Sequence, residues 1–240
     1  RALLFSYSCH NTTMGFNQFC GDYAGYAQEY LQAEHPEATA LFFTGCAADQ
    51  NPYPRRKFEH VQQHGRALAN AVEAALETVP KPISGPLRLK YDEVTLDFSP
   101  PPSKPELEKL AAGTREPATG HARRLLKELE ETGTIRLTYP YPVQLIEFGK
   151  DWTIVTLGGE VVVDYSFRIP RELAAGESGR ANVWVAGYSN DVFGYVPSLR
   201  VLQEGGYEAG EAMLWGSLPG PFAANVEEKI IDKVRELSKH

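Results

Sequence analysis

Cysteine is scarce in these 240 residues: Cys9, Cys20 and Cys46 are an odd number with no CxxC spacing. They make neither a disulfide framework nor a cysteine-rich zinc site, and buried free thiols are the plain reading. Cys9 beside His10 gives no nucleophile pair, because neighbouring strand residues face opposite sides. Long apolar runs are missing too. Nothing approaches the roughly 18 to 20 residues of a membrane-spanning helix, and there is no signal peptide to read in these residues, which open on Arg-Ala-Leu-Leu-Phe-Ser-Tyr. Positive charge is in deficit, with 24 Lys and Arg against 31 Asp and Glu and a net charge of −7. With no basic stripe to neutralise phosphates, nucleic acid is not an expected partner. No GxSxG elbow, glycine-rich phosphate loop or HExxH helix occurs, so the common hydrolase and nucleotide-binding signals are absent.

What is present is an α/β pattern. A 42% hydrophobic content over this length supports a real core, in one large domain or two small ones. Residues 2–7, 40–43, 152–157 and 182–186 are short runs rich in β-branched and aromatic residues, each followed at once by glycine or small polar residues and then a helical pattern. Runs of this kind read as buried strands, and in such sheets polar residues at the strand ends meet in space. Helices are expected over 22–33, 58–76 and 225–237 from apolar side chains at helical spacing. Residues 87–98 alternate as a strand, and 143–148 with 152–157 form a hairpin candidate. Between them lies a proline-rich break and a Lys, Arg, Glu and Leu stretch, read as a solvated helical arm without chemistry. The expected class is α/β (or α+β): a layered mixed β-sheet covered by helices, with a charged helical excursion around 99–134. Because the sequence opens inside an apolar strand, residues of the same fold are expected before Arg1.

A few polar residues stand at those strand ends. His10 follows the first run and precedes Asn11-Thr12-Thr13, which places its imidazole at a turn, as a hydrogen-bonding group or a ligand. Glu160 follows two glycines and precedes Val161-Val162-Val163. A carboxylate in such apolar surroundings is paired, caps a helix or binds a metal. Asp49 and Asn51 precede Pro52, where an Asx turn is the alternative to a role in a site. Tyr195 and Tyr207 lie in a segment full of aromatic residues and, taken alone, read as packing residues.

Four ordered blocks resemble the neutral/alkaline non-lysosomal ceramidase family. Phe5 to Met14, followed by Gly21-Asp22-Tyr23-Ala24-Gly25-Tyr26-Ala27, is similar to the family segment in which a metal-binding histidine precedes a Gly-Asp-x-x-Gly-Tyr-Ala helix start. Phe43 to Pro52 resembles its Gly-Asp-x-Ser-Pro-Asn loop, and Gly158-Gly159-Glu160 its Pro-Gly-Glu. Tyr195 and Tyr207 match the spacing of its two functional tyrosines, and Gly216 to Pro221 resembles the Gly-Pro before its last helix. The family's His-Thr-His-Ser-Gly segment occurs nowhere in the sequence, and its place would be upstream of Arg1.

The resemblance implies that 1–240 is the later part of a ceramidase-like catalytic domain, and the charged stretch at 99–134, read from composition and matching little of the family pattern, is then a helical insertion within it. It implies Zn²⁺ held by His10, Glu160 and Tyr195, with an upstream histidine completing the set, and Tyr207 as the catalytic residue. The implied reaction is zinc-assisted hydrolysis of an N-acyl amide such as ceramide. Its partners would be a small-molecule or lipid amide substrate and the upstream part of the same domain, in an extracytoplasmic or secreted setting. A non-catalytic fragment serving as a binding module, and a zinc hydrolase of another amide or ester, are the alternatives. If a ligand was passed over, His60 and His64 come first. Some apolar sheet or helix surface is expected to stand uncovered.

Overall fold

The computed structural model describes residues 1–176, 180 and 182–239. Strand β1 (Ala2–Tyr7) leads through a loop to helix α1 (Asp22–Glu34), then to β2 (Thr39–Thr44) and helix α2 (Phe58–Leu76). β1 and β2 pair in parallel, from Ala2 opposite Thr39 to Tyr7 opposite Thr44. Their covered face carries Phe5 and Ala40, which pack with Ala27, Leu31 and Ala69 of the two helices. Gly65 sets how closely those helices cross, because a Cβ there would lie 2.5 Å from the Tyr26 Cβ and 2.9 Å from the Tyr23 carbonyl.

The rest of the chain builds β3 (Leu87–Asp97), α3 (Lys104–Ala111), α4 (Ala118–Thr132), β4 (Thr138–Phe148), β5 (Trp152–Leu157), β6 (Glu160–Val161), α5 (Asp164–Ala175), β7 (Val183–Ala186), β8 (Tyr195–Val196), α6 (Leu199–Glu204), a 3-10 turn (Glu211–Trp215) and α7 (Val226–Ser238). A four-stranded sheet runs β3-β4-β5-β7, antiparallel up to β5 and parallel between β5 and β7. The third sheet is the two-residue parallel pair β6-β8. The mixed, helix-covered α/β class is therefore as expected, but the four apolar runs are divided between two sheets. Of these, β1 and β2 bury only one face, leaving Leu4 and Leu41 exposed.

Helix α7 closes the large sheet. Its Val226, Ile230, Ile231 and Val234, at i, i+4, i+5 and i+8, are all buried against Leu96, Tyr141, Val143 and Leu145. Full burial of each such side chain stabilises the fold by about 1.5 to 3 kcal/mol. Large apolar side chains also stand exposed, among them Leu87, Leu89 and Tyr91 along β3. Among the described residues no helix is long and apolar enough to cross a membrane.

The charged stretch differs from its expected solvated form. It is a helix pair with a small core of its own, made by Leu107, Ala122, Leu125 and Ile135. Ser103 and Glu106 form a capping box at the start of α3. The apolar stripe spans two short helices, and the Lys, Arg and Glu between its positions hid it. His121 pins α4 to the body, donating from Nε2 to the Leu218 carbonyl at 2.8 Å. Burial pushes the His121 imidazole below its usual value, Arg124 adds to this, and the Leu218 bond opposes it. A depressed histidine value means that the unfolded state takes up a proton first as acidity rises. The His121 contribution is thus complete above the unfolded value of about 6.5 and declines as the pH drops below it. Thermal melting followed across that range should show this decline, and His121→Asn should flatten it.

Candidate metal centre

Three segments far apart in sequence bring the site together. His10 lies in the loop after β1, its backbone N–H donating to the Gln50 carbonyl at 2.9 Å and its Nε2 3.0 Å from the Ala48 carbonyl. The loop after β2 comes this close because Gly45 has no Cβ, which would sit 2.3 Å from the Ser8 Oγ. Glu160 opens β6 after Gly159, whose φ of +68 is left-handed and whose Cβ would meet the Gly194 carbonyl at 2.8 Å. In the β6-β8 pair Glu160 is in register with Tyr195, and the Glu160 N–H donates to the Gly194 carbonyl at 2.8 Å. In-register strand neighbours share a face, so the Glu160 and Tyr195 side chains lie together while Val161 and Val196 turn into the core.

The three meet. Glu160 Oε2 is 3.8 Å from His10 Nδ1, and the Tyr195 hydroxyl is 3.4 Å from His10 Nε2. Tyr188, which nothing in the sequence singles out, joins them with its hydroxyl 3.2 Å from His10 Nδ1. Burial followed by the Glu160 charge pushes both phenols above the ordinary tyrosine value. They are held as neutral O–H donors. Tyr207 stands on the open side, its ring 5.3 Å from that of Tyr195 and 44% exposed.

Asp49 and Asn51 lie at the same end without entering the cluster. Asp49 Oδ1 accepts the Val163 N–H at 2.8 Å, so a carboxylate at the start of α5 comes from Asp49 and not from Glu160. Asn51 Oδ1 accepts from Thr12 Oγ1 at 3.4 Å and from Arg55 at 3.0 Å. Asp49→Ala should destabilise the protein by about 1 to 2 kcal/mol in a urea titration, since it removes a charge-assisted bond at a helix N-terminus. His64 donates to the Pro54 carbonyl and His60 contacts Gln63, so neither is bonded to the site.

The thiols contribute nothing here. Burial raises both Cys46 and Cys9, with the charges of Asp49 and Asp22 respectively adding to it. Both are kept as neutral thiols, poor ligands and poor nucleophiles. Among the described residues no group of three or more His, Cys, Asp or Glu is placed to hold a metal. The donor set is instead one imidazole, one carboxylate and phenol oxygens. Such N and O donors fit a zinc ion with a position left for water.

The fold has solved counterparts. A structure described as a ceramidase complexed with C2 superposes with a TM-score of 0.66 at 15% identity, covering 99% of this chain and 45% of its own. Neutral ceramidase from Pseudomonas aeruginosa gives 0.64 at 17% identity, covering 99% and 44%. The chain therefore spans less than half the length of either. No family profile and no curated protein matches the sequence. At such identity the likeness establishes a shared fold, in which the segments bearing His10, Glu160 and Tyr195 come together.

Proposed function

We propose that the chain is the metal-holding part of a ceramidase-like hydrolase that cleaves an N-acyl amide. The observation that supports it is the approach of His10, Glu160 and Tyr195 from three separate segments, in a fold shared with solved ceramidases. In this reading the three residues hold zinc, and an upstream histidine adds to them. Zinc there supplies Lewis acidity toward a water and toward the amide carbonyl.

The chain's own residues do the rest. The Ala48 carbonyl holds the His10 ring in one orientation, as an outer-shell acceptor does for a ligating histidine. Glu160 brings the negative charge that makes a cation welcome in a half-buried site. Tyr207, on the open side next to Tyr195, donates a hydrogen bond to the amide oxygen as it gains charge. Such a donor contributes about 3 to 4 kcal/mol to the transition state.

The test is turnover of a panel of N-acyl amides and esters, ceramide included, by the full chain with zinc and with a chelator. Amide cleavage that the chelator abolishes and zinc restores is the expected result. Preference for an ester would move the reading to another zinc hydrolase. Zinc binding without turnover of any substrate would favour the binding module.

A further inference from the structure

His10 has a single lone pair to offer, and its surroundings fix the side on which it lies. The Ala48 carbonyl can only accept, so Nε2, 3.0 Å from it, carries the proton of the neutral ring. Nδ1 is then the free base. Around Nδ1 stand the Tyr188 hydroxyl at 3.2 Å and Glu160 Oε2 at 3.8 Å. Tyr195, the phenol assigned from sequence, lies 3.4 Å from Nε2, on the side that carries the proton.

We infer that Tyr188 is an oxygen donor to the cation held by His10 Nδ1 and Glu160, an inference that rests on the zinc reading above and adds a residue to it. The backbone supplies an independent observation. Tyr188 has a φ of +54, a left-handed conformation that an aromatic residue rarely adopts. Its N–H donates to the Gly159 carbonyl at 2.9 Å, and the next residue's N–H donates to the Leu157 carbonyl at 3.1 Å. Gly187 makes the approach possible, since a Cβ there would sit 2.9 Å from Val161 Cγ2 and 3.0 Å from the Gly45 carbonyl. The turn is clamped between the two other segments of the site, and its strain holds the phenol hydroxyl beside His10.

The test is zinc affinity by chelator competition, together with the visible spectrum of cobalt(II) in zinc's place, on the full chain, Tyr188→Phe and Tyr195→Phe. Neither readout needs turnover. Tyr188→Phe is expected to weaken zinc by at least about 10-fold, the lower end for groups that tune a metal site, and to shift the cobalt band. Tyr195→Phe, which removes a donor of the zinc reading itself, should weaken it as well. Tyr188→His, which keeps a donor and tolerates the left-handed backbone better than most residues, should recover much of the affinity; failure to do so would count against a donor role. Wild-type affinity and an unchanged cobalt band in Tyr188→Phe would overturn the inference and leave the hydrolase reading in place. A parent chain that binds neither ion would overturn both.

Discussion

If the chain is the zinc hydrolase proposed above, Glu160→Ala should strip it of zinc and abolish amide hydrolysis together. The carboxylate is the cluster's only anionic side chain among the described residues: it stands 3.8 Å from His10, and its charge raises two neighbouring phenols. Losing it leaves an imidazole and neutral phenols, a set with little hold on a divalent cation. Changing even an outer-shell partner costs about 10- to 100-fold in metal affinity, so loss of a direct donor should exceed that. Tyr207→Phe is the contrast. It removes a hydroxyl on the open side of the site, so zinc content should stay at the parent level while kcat falls about 100- to 1,000-fold with KM little changed. Metal analysis beside steady-state kinetics separates the two, and equal zinc loss in both variants would mean that a ligand and a substrate contact have been exchanged.

The second large effect is expected far from the site. Glu147, on β4, is 1% exposed and accepts from Lys90 Nζ at 2.9 Å and from Arg180 at 2.6 Å. Lys90 also donates to the Leu237 carbonyl at 3.0 Å, tying α7 to the sheet, and Arg180 donates to Thr153 Oγ1 at 3.1 Å. Glu147→Gln keeps the volume but leaves two largely buried cations without a counter-charge. Breaking such a group by removing one partner costs about 3 to 5 kcal/mol, a large part of the roughly 5 to 15 kcal/mol that holds a domain together. Urea unfolding should show a midpoint lowered accordingly. A shift under 1 kcal/mol would mean that water reaches this cluster.

The periodic elements were legible because burial writes their pattern into the sequence. α2 occupies Phe58–Leu76 and β5 Trp152–Leu157, where the apolar spacing put them. β6 and β8 left no such trace, since two residues have no period, yet they set the register between Glu160 and Tyr195. The helix-pair core at Leu107 and Leu125 was hidden because each helix contributes only a few apolar positions among many charges. At the site, His10, Glu160, Tyr195 and Tyr207 were named through the family resemblance, with strand-end polarity as the chemical support. Tyr188 was missed for a physical reason. Its importance lies in a left-handed backbone angle, and a tyrosine gives no sign of that in sequence, whereas Gly159 does. The role of Asp49 was equally hidden, because its partner Val163, just before α5, is more than a hundred positions away.

X-ray absorption at the zinc edge of the purified full chain tests the central claim most directly, because it reports the donors around the metal without reference to any reaction. The account predicts one bound zinc surrounded by nitrogen and oxygen at about 2.0 to 2.2 Å, with an imidazole signature from His10 and no sulfur. A sulfur shell at about 2.3 Å, or a protein that takes up no zinc when it is supplied, would contradict it.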